Sequence, residues 1–382
     1  MKSLGIVLNS RDVSGAEKRI MRLSYYLNTH EGLETHVFVP RILFALIEAS
    51  PELAHIPREF GDRVHCYSSP VHANATYLVA RIAWMFQLYT LWRAIKKHPT
   101  TLLEGSCGSP RHLYALSKLR QLPKNVLIEI TSPDVVNDIL ARKSMSSWIL
   151  SDRVKSMFFV SRSTFDKFKA AVPEDLQRRF ESKSTYAPIP FYVAPGLDRV
   201  PKEKLIVYAS RFIERKNPLL FAKAAREFLI QRPDWRVTML GTGPLTTQVR
   251  EVLADAIASG QATVEWMDDI YPVLRSSSIY ISVIRKDNFP SQSIMEAMAC
   301  ENVLVCNDVG QTGKFFNGKN GVLIDAAAEN LLATLLHLSS ETALEGMGKA
   351  SREHLLKDFN PGIYIASLFA TYRAAGLEVS KA

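Results

Sequence analysis

Short uninterrupted apolar runs, separated by stretches where apolar residues return every three or four positions, set the pattern of this chain. Residues 4–8 (LGIVL) form one run, followed by a turn over 9–15 and a helical period over 16–27. Residues 205–209 (LIVYA) repeat the arrangement, with a turn over 210–217 and a helical period over 218–230. Further strands are predicted at 35–39, 101–104, 126–130, 157–160, 236–240, 263–266, 279–283, 303–306 and 321–324. Most are continuous rather than alternating, so both faces of each strand are covered, as in parallel sheets joined by crossover helices. The predicted fold is α/β, with two doubly wound domains. Pro188, Pro190, Pro195 and Pro201 interrupt the periodicity between 186 and 204 and set the expected boundary there. The expected division is 1–195, then 196–360, then a helical segment over 361–382 that follows a Pro-Gly break.

The stretch 77–95 (YLVARIAWMFQLYTLWRAI) departs from this pattern. Arg81, Gln87 and Arg93 interrupt it too often for a transmembrane helix. As a helix it shows two apolar stripes, one through Tyr77, Trp84, Leu88, Leu91 and Ile95, the other through Val79, Ile82, Phe86 and Tyr89. A helix apolar on two faces is expected to be buried. The alternative is a helix facing a membrane or a partner, with its aromatic rings beside Arg93, Lys96 and Lys97.

Composition fits a globular protein: 382 residues, 47% hydrophobic and 22% charged, with a mean hydropathy near zero. Four cysteines without CxxC spacing give neither a disulfide framework nor a structural zinc site. The start MKSLGIVLNS lacks the features of a signal peptide, so a cytoplasmic location is expected. The net charge of +9 is unevenly placed. Residues 1–190 hold 26 Lys and Arg against 17 Asp and Glu, whereas residues 191–382 hold 21 of each. That asymmetry points to an anionic partner for the first half, with generic solubilising charge as the plainer account. A nucleic acid is not expected, because no aromatic-basic recognition motif accompanies the charge.

Three segments carry candidate chemistry. In 205–217 (LIVYASRFIERKN), Arg211 and Lys216 follow a strand at a spacing of five and can project from one strand-to-helix turn. In doubly wound folds ligands bind at that edge of the sheet, and two cations there suit a diphosphate. A solvated charged loop is the rival account. In 237–244 (VTMLGTGP), Gly241 and Gly243 allow a tight turn and a close backbone approach to a ligand, although a structural turn explains them equally well. In 284–306, Asn288, Phe289 and Pro290 end a loop, and Ser291 or Ser293 caps the helix that follows. Free amides at that helix start form an anion site. Glu296, about one turn inside, suits two neighbouring sugar hydroxyls; its rival role is a capping glutamate answering Ser293.

The order of these motifs resembles glycosyltransferase family 4, retaining enzymes of the GT-B fold. The matching residues are Arg211 and Lys216, Gly241 and Gly243, Glu296-Ala297-Met298-Ala299-Cys300, Asp308-Val309-Gly310 and Asn320-Gly321-Val322-Leu323. Near the start, Ser14-Gly15-Ala16-Glu17-Lys18-Arg19 is similar to the family's glycine-rich loop, and Phe159-Val160-Ser161-Arg162-Ser163 to one of its strand ends. A final helix ending near Tyr372 resembles the one that crosses back to the first domain. The resemblance implies two Rossmann-like domains facing across a cleft: an acceptor-binding one over 1–195 and a nucleotide-sugar-binding one over 196–360. Three positions depart from the family pattern, one of them Glu301, which stands where the family prefers glycine. Asn288 stands where the first of two glutamates is usual, and the strand over 126–130 ends without a histidine, leaving His112 as a weak substitute.

The resemblance implies transfer of a hexose-type sugar from a UDP- or GDP-sugar, with retention, to a glycan or a polyprenyl-linked glycan in surface polysaccharide or lipopolysaccharide synthesis. Arg211, Lys216, the Gly15 loop and the amides over 290–293 would hold the departing diphosphate. Asn288 would act beside them, Glu296 would hold the ribose, and Phe289 would shape the donor-sugar pocket. Ser210, Met267, Pro290, Ser291, Gln292 and Ser293 complete the implied nucleotide-sugar site. No metal or other cofactor is expected, since the clamping cations do a metal's work. An anionic membrane surface, reached peripherally at the inner leaflet, is the expected partner of the basic half. A sugar-nucleotide epimerase and a catalytically silent binding relative remain as alternatives.

Overall fold

The computed structural model describes the chain apart from residues 1–2, 14, 52, 69–76, 120–121, 123–124, 132, 188–189, 191–199, 288, 326 and 380–382. The chain divides into two compact units, one formed by 1–189 with 362–382, the other by 190–361. Each is built on one parallel sheet covered by helices, as continuous apolar strands require.

In unit 1 the strands are β1 (Ser3–Val7), β2 (Glu34–Pro40), β3 (Val64–Tyr67), β4 (Leu102–Gly105), β5 (Val126–Ile130), β6 (Val154–Phe159) and β7 (Ser184–Tyr186), in the order β3-β2-β1-β4-β5-β6-β7. The order reverses between β1 and β4. Unit 2 holds β8 (Glu203–Ala209), β9 (Arg236–Leu240), β10 (Ala262–Glu265), β11 (Ser277–Ser282), β12 (Val303–Asn307) and β13 (Gly321–Ile324), ordered β10-β9-β8-β11-β12-β13, and reverses between β8 and β11. Such a reversal leaves a crevice outside the carboxyl ends of the two strands. In unit 2, core side chains cover the sheet on both sides, Phe221 and Phe228 in one cluster and Met295 and Met298 in another.

The helix Tyr77–Lys97 corrects the expectation of burial on two faces. Only Leu88, Leu91 and Ile95 are buried, whereas Leu78, Ile82, Met85, Phe86 and Tyr89 face outward. Among the described residues no helix is long and apolar enough to cross a membrane.

The helix Pro361–Ala374 docks into unit 1 through polar contacts as well as apolar ones. Arg19 donates to the Tyr364 hydroxyl at 3.2 Å and pairs with Glu129 at 2.7 Å, where both side chains are only 1% exposed. Ser106 also donates to Glu129. The Tyr372 hydroxyl donates to Glu104 at 2.7 Å. Burial first, and the neighbouring Glu129 second, push the Glu104 carboxyl up to about 8. Glu104 therefore holds a proton near neutrality.

An unfolded glutamate titrates near 4.5, so the folded state keeps this proton across the interval from there to about 8. The stability it contributes is complete below the lower value and is lost as pH rises through the upper one, at up to about 1.4 kcal/mol per pH unit. Glu104→Gln keeps the shape and cannot ionise. Thermal unfolding at about pH 5 and about pH 8 should show the variant gaining on the parent at the higher pH. Parallel behaviour at both values would refute the assignment.

Candidate functional site

The candidate site of unit 2 is the set of loops that leave the carboxyl ends of its strands. Hydrogen bonds stitch them into one rim. After β8, the Ser210 amide donates to the Leu240 carbonyl at 3.0 Å and Phe212 donates to Thr242 at 2.9 Å. After β9, Gly241 donates to Glu265, the last residue of β10, at 2.8 Å. Gly241 (φ +157°) lies so close to its neighbour that a Cβ would stand 2.0 Å from the Ser210 carbonyl oxygen. The first glycine of the GxG pair therefore answers a packing demand between loops, whatever ligand lies above it.

From the far side of the reversal, the Arg285 amide donates to the Arg215 carbonyl at 3.0 Å and its guanidinium to the Asn217 Oδ1 at 3.2 Å. Asp287 then joins the loops after β11 and β12: its Oδ1 accepts from the Phe289 amide at 3.0 Å and the Gln311 amide at 3.3 Å. Gly310 (φ +58°) leaves room for that carboxylate, since a Cβ would stand 2.3 Å from the Asp287 Cγ. Asn307 adds a bond from its Nδ2 to the Ile284 carbonyl at 2.6 Å.

Arg211 and Lys216 sit on the turn after β8, beside the reversal. The short helical turn Glu214–Lys216 and the left-handed Asn217 (φ +55°) carry the chain from it into the helix Pro218–Gln231. Arg211 is exposed, whereas Lys216 is partly buried. Burial first, then the nearby Arg215 and Arg211, lower the Lys216 ammonium to about 7. Neither Arg211 nor the Lys216 ammonium forms an ion pair among the described residues. Arg211 acts electrostatically on Lys216, and the nearby Glu214 carboxylate pairs with Arg285 at 3.5 Å instead.

The helix Gln292–Ala299 starts from Ser291, whose backbone is extended and whose side chain makes no capping bond. Its hydroxyl lies 3.3 Å from that of Ser293. Glu296 is the fifth residue of this helix and buried, which is too deep for the capping-box role, because that role belongs to the third. Pro290, Gln292 and Ser293 are partly exposed at the same corner. Phe289 turns its ring inward instead, 5.1 Å from Phe315 and 6.1 Å from Phe359, so it anchors the loop from beneath. Met267, partly buried, follows β10 at the other end of the rim, next to the 63%-exposed Trp266. Asp269 accepts from the Tyr271 amide at 2.9 Å and so starts the next short helix. Gly243 stands in the turn after β9. Asn288 lies outside the described residues. Gly15 opens the helix Gly15–Thr29 in unit 1.

Unit 1 has a polar corner of its own where β1 and β4 diverge. Asn9 Oδ1 accepts from Tyr67 at 3.2 Å and from Gln87 at 3.0 Å, and the Asn9 amide donates to the Cys107 carbonyl at 3.0 Å. Gln87 also meets the His112 Nε2 at 3.2 Å. Burial, then Arg111, lower His112 to about 4, so its ring is neutral and works as a buried hydrogen-bonding group. Asn9, Gln87, Arg285, Asp287 and Asn307 escape a motif reading. The only sign of Asn307 in the sequence is a polar residue at the end of an apolar run.

Residues 203–341 match the family model described as glycosyl transferases group 1. No curated protein matches the chain. Among solved structures, a glycosyltransferase from Rickettsia africae is 15% identical, with 99% of this chain and all of that one covered at a TM-score of 0.67. A TarM variant from S. aureus, in complex with fondaparinux, alpha-GlcNAc-glycerol and UDP, is 10% identical over 97% of this chain and all of its own, at 0.70. Anabaena HepE in complex with UDP is 11% identical over 97% of this chain and all of its own, at 0.68. At such identities the likeness carries the architecture, which is that of the GT-B glycosyltransferases.

Proposed function

We propose that this chain, a glycosyltransferase with the GT-B fold, transfers a hexose-type sugar with retention from a uridine or guanosine diphosphate sugar to a glycan carried on a polyprenyl diphosphate, in the synthesis of a cell-surface polysaccharide. The observation that carries the donor half is the couple Arg211 and Lys216 on the rim beside the strand reversal, which forms no ion pair among the described residues. Breaking the bond to the sugar leaves charge on the diphosphate, and two fixed cations stabilise it where it forms. The uncapped start of the helix Gln292–Ala299 adds amide donors at the same rim. UDP in the TarM and HepE structures favours uridine over guanosine.

Retention is what the resemblance of the motifs implies: the acceptor hydroxyl attacks from the face the diphosphate leaves, and a phosphate oxygen takes its proton. Glu296 holds the ribose, and no metal takes part. Unit 1 binds the acceptor at its Asn9–His112 corner, at the inner face of the cytoplasmic membrane.

Thermal shift against UDP, GDP, ADP and their sugar conjugates tests the donor site. A nucleotide at 100 times its Kd should add about 2.7 kcal/mol of stability. One base should give the shift, and Arg211→Ala should diminish it. No response to any nucleotide would overturn the proposal, and a response without turnover would favour the silent relative.

A further inference from the structure

We propose that the outward side of the helix Tyr77–Lys97, with the groove between its last turns and β3, seats the headgroups of an anionic phospholipid bilayer. The inference rests on the reading of a lipid-linked acceptor and deepens it by giving the surface on which the protein meets that acceptor.

At 100° per residue, Leu78, Ile82, Met85, Phe86 and Tyr89 fall on one side of this helix, and Arg93, Lys96 and Lys97 continue the same side. The five apolar residues are each at least 49% exposed, a density that scattered surface residues do not reach. Gln87, through its bond to Asn9, fixes the middle of the helix at the sheet edge where unit 1 presents its polar corner. The apolar turns thus begin beside the proposed acceptor site, and the cationic turns run back along β3.

There a groove of about 900 Å³ opens, lined by Arg93, Lys96 and Lys97 together with His65, His98 and aromatic side chains. Among the described residues no carboxylate lines it. The cations lean on rings instead, Arg93 over Tyr89 at 5.9 Å and Lys96 over Trp92 at 5.2 Å. His65 and His98 stack at 3.7 Å, and His36 bonds to His65 at 2.9 Å, which makes a firm wall.

An apolar stripe, an aromatic junction and a cationic end match the depth profile of a leaflet: acyl carbons, interface, phosphate. A soluble polyanion would use the cations and leave the stripe in water. A protein partner would cover the stripe without calling on the cations that continue it. The lipid surface uses both.

The test is sedimentation of the full chain with phosphatidylcholine vesicles, with and without phosphatidylglycerol, at low and high salt. The parent should sediment with the anionic vesicles and be released by salt. Arg93→Gln/Lys96→Gln/Lys97→Gln and, separately, Ile82→Ser/Phe86→Ser should each lower the bound fraction at least about tenfold, with unchanged unfolding temperature and nucleotide response. Absence of parent binding, or variants that bind like the parent, would overturn the inference. Nucleotide response without vesicle binding removes this surface and leaves the glycosyltransferase reading. Vesicle binding without nucleotide response does the reverse.

Discussion

Lys216→Ala is expected to lower kcat/KM for the nucleotide-sugar by about 10²–10³-fold, the usual cost of removing one preorganised group from a developing anion. The diphosphate is charged before the bond breaks and more so afterwards, so both KM and kcat should suffer. Arg211→Ala should cost less, since Arg211 is exposed and acts through water-screened space. The pH profile separates the two. In the free protein burial and neighbouring arginines bring Lys216 to about 7, so it is half-charged near neutrality and loses its charge as pH rises. A bound diphosphate favours the charged form. Nucleotide affinity should therefore fall above about pH 7, with about one proton taken up per nucleotide bound at higher pH. Lys216→Arg, always charged, should flatten the profile even where activity stays low. Calorimetry in two buffers of different ionisation enthalpy reads the proton directly; an unchanged proton count in Lys216→Ala would refute the role.

Arg19→Met should destabilise unit 1 by about 3–5 kcal/mol, because it strands the buried Glu129 carboxylate. The Tyr364 hydroxyl loses a donor in the same step. Glu129→Leu added to Arg19→Met removes the stranded charge and should recover much of the loss. Denaturant unfolding read by tryptophan fluorescence checks both. Equal destabilisation in the single and double variants would show that packing, rather than charge, governs this corner.

What the sequence reveals depends on how locally each feature is encoded. Strands β5, β9 and β13 fall on the predicted residues because short, mostly apolar runs without a helical period admit few other readings. Strands β3 (VHCY) and β7 (STY) are sheet edges, half-buried and partly polar, so nothing in their composition sets them apart from loops. Arg211 and Lys216 are legible because one turn carries both. The contact between Asp287 and Gly310 is not, since it joins loops after two different strands and depends on where the strands sit. The outer face of the helix Tyr77–Lys97 is hidden for another reason: an apolar stripe reads alike whether protein or something else covers it. Only placement tells which half meets the core.

Because the helix Pro361–Ala374 belongs to the core of the unit that begins the chain, synthesis completes the two units out of order. All of 190–361 emerges from the ribosome before the Tyr364 and Tyr372 hydroxyls can reach Arg19 and Glu104. The first unit to be made is then the last to be finished, and until its closing helix arrives a cluster of buried charges waits in the nascent chain without its hydroxyl partners.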